Sequence, residues 1–73
     1  MIETKAQFLK AYKEIRKITG WKIGKIAKGA GIDRTTLYRI QTIPDRMPTD
    51  ETMTGMAILL VYARMLQEQE KAN

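Results

Sequence analysis

The chain contains neither cysteine nor histidine. Without thiols there is no disulfide framework and no thiolate metal site. Without imidazole a metal would need an all-oxygen site, and the commonest acid–base catalyst at neutral pH is missing. A cysteine-free chain also fits a reducing compartment. Long apolar runs are absent too. Residues 58–62 are the centre of the longest, residues 56–63, inside a segment studded with charge, and a span needs roughly 20 apolar residues. Met1, Ile2, Glu3, Thr4 and Lys5 have neither the basic start nor the apolar stretch of a secretion signal. These absences predict a cytoplasmic protein with no membrane partner and no cofactor. They also predict no enzymatic activity, since no nucleophile–base pair can be assembled from what remains.

At 73 residues the chain makes one domain, residues 1–73. A domain this small buries a modest core and often leans on a second copy for stability. Its charge is unevenly placed. Residues 5–46 hold eleven Lys and Arg against Glu14, Asp33 and Asp45, a net +8. Residues 47–73 hold Arg64 and Lys71 against Asp50, Glu51, Glu68 and Glu70, a net −2, and Glu3 brings the whole to +5. Such a field attracts polyanions to the front of the chain and leaves the back for another task. The same lysines also serve as an ordinary solubilising surface.

Helix punctuation is clear. Thr4 followed by Gln7 has the spacing of a capping box, which satisfies two free backbone donors at a helix start. Phe8, Tyr12, Ile15 and Ile18 then mark one buried stripe, and Gly20 provides the stop. A second helix runs over about residues 22–29 with Ile23, Ile26, Ala27 and Ala30 as its apolar positions, and Trp21 packs at its entrance. Asp33 caps a third helix reaching about Gln41, with Leu37 and Ile40 pointing inward. Pro44 ends it. Residues 42–48, with both prolines of the chain, form a loop, and Thr49 or Asp50 opens the last helix. No segment shows the period-two alternation of a strand, so the expected fold is all-α, a small bundle of four or five helices.

The informative segment is residues 23–41, IGKIAKGAGIDRTTLYRIQ. Two short helices must cross steeply here with little between them. Ala27 supplies the small residue that close crossing needs, and Gly31, four positions later, supplies the turn residue that tolerates positive φ. Ile32 plugs the turn into the core, while Leu37 and Ile40 seat the second helix and leave its opposite face outside.

This set, Ile26, Ala27, Gly31, Ile32, Leu37 and Ile40, resembles the helix-turn-helix of the phage Cro and repressor family, with a lambda-repressor-like bundle as the implied fold. Residues 45–52, DRMPTDET, also look like that family's loop and following helix. The sequence departs from the pattern at Ile23, where the family usually carries a polar residue, and at Lys22, where it favours a Ser or Thr cap. Residues 31–39 are similar as well to the helix-turn-helix of homeodomain-like bacterial regulators. What the resemblance implies is a transcription regulator, repressor-like and of phage or prophage type, that binds double-stranded DNA at a near-palindromic site. One helix lies in the major groove and presents the side chains near its N-terminal end to base edges. The reading positions then fall on Arg34, Thr35 and Arg39, with Tyr38 beside them. Lys22, Lys25, Lys28, Thr36 and Arg46 would flank the groove on the sugar–phosphate backbone.

The last helix, residues 50–70, is apolar almost all the way round. Met53, Met56, Ala57 and Leu60 form one stripe. Ile58, Leu59, Tyr62, Met65 and Leu66 cover much of the other side. A helix apolar on two sides wants two neighbours, and the expectation is that the second is another copy of the chain, making a homodimer. One unbroken helix is expected, with residues 67–73 fraying. The competing reading is a small protein-binding module, an antitoxin or a phage inhibitor of a host factor, that uses the apolar last helix for a foreign partner. RNA is disfavoured by the lack of a cluster of exposed aromatics for stacking unpaired bases.

Overall fold

In the computed structural model, which describes residues 2–72, four helices follow one another: α1 (Lys5–Thr19), α2 (Ile23–Gly29), α3 (Arg34–Thr42) and α4 (Asp50–Ala72). There is no strand among the described residues. The fold is an all-α bundle in which α1 and α4 make the most extensive pair and the short α2–α3 pair packs against them. At about 1.5 Å per residue, the 23 residues of α4 account for most of the 42 Å long axis of the molecule.

The helix ends follow from side-chain chemistry. At the start of α1, the Gln7 N–H donates to Thr4 Oγ1 at 3.1 Å, and Gln7 Oε1 accepts from the Thr4 and Glu3 amides at 3.2 and 2.7 Å. The capping box is therefore complete. Gly20, at φ +72°, closes α1 by donating its N–H to the Arg16 carbonyl. The cap of α4 is Thr49 rather than Asp50: its hydroxyl oxygen accepts from the Thr52 N–H at 3.1 Å. Asp50 and Glu51 then lie in the first turn, where the helix dipole favours negative charge.

Phe8, Tyr12 and Ile15 from α1 meet Ile26 and Ala27 from α2, Leu37 and Ile40 from α3, and Met56, Leu59 and Ala63 from α4. Trp21 packs partly buried against this cluster. No buried side-chain nitrogen or oxygen among the described residues lacks a hydrogen-bond partner. A bidentate ion pair, Arg64 to Glu14 at 2.7 and 3.0 Å, ties α4 to α1 on the surface.

The inward face of α4 differs from the expected one. Thr52, Met56, Leu59 and Ala63 are buried, while Met53, Ala57 and Leu60 are half-buried. Leu59, expected at a subunit interface, is a core residue at 8 % exposure. The reason lies at the crossing with α2. A Cβ at Gly29 would come within 2.9 Å of Leu59 Cδ1, and a Cβ at Gly55 would collide with the Ala30 carbonyl oxygen. Two glycines thus let α4 come up against the end of α2, and that contact turns Leu59 inward. The helix also continues unbroken to Ala72 where residues 67–73 were expected to fray; Asn73 lies outside the described residues. Among the described residues no helix is long and apolar enough to cross a membrane.

Candidate nucleic-acid interface

The unit formed by α2, the turn and α3 is held by backbone geometry more than by side-chain bulk. At the end of α2 the Ile32 N–H donates to the Ala27 carbonyl at 3.0 Å, and the Gly31 N–H donates to the Lys28 carbonyl at 3.1 Å. This is the Schellman arrangement, in which a residue at positive φ lets its own amide and the next one satisfy the last helical carbonyls. Gly31 takes that place at φ +82°, and Ile32 packs partly buried on the core. Two residues on, the Thr36 N–H donates to Asp33 Oδ1 at 2.6 Å and caps α3. The Thr36 amide, then its hydroxyl, hold the Asp33 carboxyl below its ordinary range. The chain therefore reverses over four residues with its backbone groups satisfied at both ends.

Leu37 and Ile40 are buried, so the face of α3 that carries Arg34, Thr35, Tyr38 and Arg39 is turned outward and exposed, Tyr38 by 58 %. Arg34 lies with its aliphatic stem over α2, where a Cβ on Gly24 would rest 3.7 Å from Arg34 Cδ. It stands between two shallow clefts. One is lined by Gly24, Lys28, Gly31, Ile32, Asp33 and Thr36; the other by Ile23, Thr35 and Tyr38. Lys28 and the half-buried Thr36 thus sit on the Asp33 side of Arg34, and Tyr38 on the other. Among the described residues the Glu14–Arg64 pair is the sole salt bridge, so the cationic groups of Arg34, Arg39, Lys28 and Arg46 face solvent without a carboxylate in contact.

The flanking residues divide. Lys22 precedes α2 in extended geometry and offers its first turn no side-chain hydrogen bond, consistent with its long, donor-only side chain. Arg46 is exposed in the α3–α4 connector, where its N–H donates to the Ile43 carbonyl at 3.0 Å across a turn containing Pro44. Lys25 is different. Its ammonium lies 4.6 Å from the centre of the Trp21 ring, and Trp21 stacks on Tyr62 with centroids 6.5 Å apart and planes inclined at 27°. Lys25 is therefore engaged on the Trp21 ring and does not line the cleft that Lys28 shares with Arg34.

Sequence reasoning did not single out this Lys25–Trp21–Tyr62 stack or the role of Lys5. The Lys5 ammonium donates to the carbonyls of Ile43 and Pro44 at 2.8 and 3.0 Å, fastening the end of α3 and the connector to α1. No local pattern announces Trp21 on Tyr62 or Lys5 on Ile43, since those partners are separated by 41 and 38 positions, whereas Lys25 lies four positions from Trp21.

On the outer face of α4, Ile58, Tyr62 and Met65 are exposed by 66, 52 and 57 %. Val61, not among the expected interface residues, joins them at 56 %. Leu66 is half-buried at the edge of this stripe. Compared with protein-family models, with curated proteins and with solved structures, the chain finds no match.

Proposed function

We propose that the chain is a sequence-specific double-stranded-DNA-binding protein of helix-turn-helix type that regulates transcription as a two-fold pair. The observation that carries this reading is the outward face of α3. Arg34, Thr35, Tyr38 and Arg39 project from a short helix whose opposite side is anchored by Leu37 and Ile40, with no carboxylate in contact with the two guanidinium groups. A helix held this way fits a major groove, where arginine grips guanine through two parallel hydrogen bonds and threonine or tyrosine meets a thymine methyl or a phosphate. Arg34 and Arg39 are assigned to bases, each worth about 1–3 kcal/mol of discrimination. Lys22, Lys28, Thr36 and Arg46 are assigned to the sugar–phosphate backbone, where they orient the protein without reading sequence. Lys25 reaches the backbone only by leaving the Trp21 ring, and its contribution is correspondingly smaller. Occupation of a promoter is the simpler mode of control for such a domain, and no catalytic role or cofactor is assigned.

Retention of a randomised duplex pool at increasing salt, with sequencing of what is bound, tests the proposal. The expected result is a two-fold symmetric consensus that disappears with Arg34→Ala plus Arg39→Ala. Weak, sequence-blind retention lost near physiological salt would overturn it, because phosphate contacts alone give that behaviour. One observation favours a second reading, a protein-binding module: the exposed stripe of α4 is the kind of surface a foreign helix or sheet would cover. The double arginine variant would leave such binding intact.

A further inference from the structure

Lys5 is the first residue of α1, where the positive end of the helix dipole disfavours a cation. No acidic residue lies in that first turn, and among the described residues no carboxylate pairs with the ammonium. What the ammonium meets instead is the far end of α3. It donates to the carbonyls of Ile43, the C-cap of that helix, and of Pro44 at 2.8 and 3.0 Å. The end of a helix carries partial negative charge and favours a nearby cation, so a cost at one helix start is offset at another helix end. That end of α3 has little else to hold it. Its start is fixed by the Gly31 turn and the Asp33 cap, and its middle by Leu37 and Ile40. Between Ile40 and Pro48 no side chain is buried, and residues 42–47 are all exposed. Among the described residues the two Lys5 bonds are the only side-chain hydrogen bonds that join this stretch to another helix. The Ile43 oxygen also accepts the Arg46 N–H at 3.0 Å, and a carbonyl oxygen has two lone pairs to offer. One acceptor thus ties the turn that carries Arg46 to the start of α1.

We infer that Lys5 is a positioning residue for the nucleic-acid interface: by holding the Ile43 and Pro44 carbonyls it fixes the turn that presents Arg46 to the sugar–phosphate backbone. The inference rests on the DNA-binding reading and adds to it a residue outside the helix-turn-helix. Lys5 itself touches no nucleic acid. Its effect passes through Arg46, so it disappears where the Arg46 guanidinium is gone. A lysine that gripped a phosphate directly would act whether or not Arg46 is present.

Two variants divide the possibilities. Lys5→Met keeps the apolar stem and removes the donors, whereas Lys5→Arg keeps donors that can reach the same carbonyls. Neither alters a buried core residue, and both are expected to retain the helical circular dichroism of the unaltered chain. The first measurement contains no nucleic acid. Backbone order parameters by nuclear magnetic resonance at Ile43, Asp45 and Arg46 are expected near the rigid value of about 0.85 in the unaltered chain and in Lys5→Arg, and below about 0.6 in Lys5→Met. Values that stay high in Lys5→Met would overturn the inference, whatever the chain binds. The second measurement is the affinity for the duplex that the unaltered chain selects, in a cycle with Arg46→Ala. Lys5→Met alone is expected to weaken binding by about three- to ten-fold, no more than Arg46→Ala does, and to weaken it by less than about two-fold when added to Arg46→Ala, as for residues that act as a unit. Lys5→Arg is expected to restore binding to within about two-fold of the unaltered chain. Losses that simply multiply would overturn the positioning role and make Lys5 a phosphate contact. A chain that selects no duplex fails the DNA-binding reading alone, and the order parameters still decide whether Lys5 fixes the Arg46 turn.

Discussion

The two outward faces of this molecule are positioned by different physics. The face of α3 belongs to a nine-residue helix fixed at its start by the Schellman turn around Gly31 and the Asp33 cap, and seated by Leu37 and Ile40. The outer face of α4 belongs to a 23-residue helix whose other side is set by Thr52, Met56, Leu59 and Ala63 against the rest of the bundle. A short helix held by its ends can present charged groups at a defined angle with little apolar surface beneath it. A long helix held by packing can carry a second apolar stripe, because its first stripe already fixes its place. The contrast separates the substitutions that re-aim a face from those that loosen the whole fold.

The largest expected effect tests which side of α4 is which. Leu59→Ala removes a buried side chain and should destabilise the bundle by about 2–4 kcal/mol in urea unfolding, as large-to-small changes in cores do. Its neighbour Ile58→Ala, at 66 % exposure, should change stability by no more than about 0.5 kcal/mol when measured at concentrations too low for pairing. Equal losses at the two positions would mean that the helix is turned differently about its axis.

This pair of positions also shows where sequence stopped short. Period and punctuation were enough for the four helices, the capping box at Thr4, the stops at Gly20 and Pro44, the Asp33 cap and the unbroken α4, because each depends on residues three or four apart. The outward placement of Arg34, Thr35, Tyr38 and Arg39 followed from Leu37 and Ile40 in the same way. For α4 the periodicity is ambiguous, since apolar residues occupy both sides. The choice between Leu59 inward and outward is made by Gly29 and Gly55, which admit the close crossing, and no local signal links those glycines to one another. Lys5 on the Ile43 and Pro44 carbonyls and Trp21 on Tyr62 are likewise tertiary contacts. Charge alone carries no direction, so the ring beneath the Lys25 ammonium is not legible from its charge.

A smaller effect, of opposite sign to the local expectation, is predicted at the glycines. In an exposed helix Gly→Ala stabilises by about 1 kcal/mol. At Gly55 the added methyl would collide with the Ala30 carbonyl oxygen, and overpacking of this kind costs about 1–3 kcal/mol, so Gly55→Ala should come out net destabilising by about 1 kcal/mol. Gly31→Ala meets open space but keeps φ at +82°, a left-handed conformation that costs an L-residue about 1–2 kcal/mol. The two losses are comparable in thermal unfolding but differ in kind. Gly31→Asn should recover part of the loss, since asparagine tolerates that conformation, whereas Gly55→Asn should lose more than Gly55→Ala. A stabilising Gly55→Ala would show that α2 and α4 do not cross this closely.

The smallest effect divides the two regions by pH. Asp33, in the α2–α3 unit, is held below its ordinary 3.8 mainly by the Thr36 amide. Glu14, between α1 and α4, is held below its ordinary 4.5 mainly by the hydrogen bond from Arg64. A carboxyl whose folded value is depressed binds fewer protons folded than unfolded. Its stabilisation is therefore present above the unfolded value and is lost as pH falls through the folded one. Both groups should give an acid limb at and below the ordinary carboxylate range, with stability flat above it. Asp33→Asn keeps a capping oxygen of similar strength but does not titrate, so it should preserve neutral stability and flatten part of the limb. Glu14→Gln should lower neutral stability slightly and flatten the remainder. Molar salt shortens the Debye length to about 3 Å and should shrink the part belonging to the exposed Glu14–Arg64 pair more than the part belonging to the Asp33 cap. An acid limb unchanged in Asp33→Asn would remove the cap from any ionic role and leave Gly31 and the buried Leu37 and Ile40 as what aims α3.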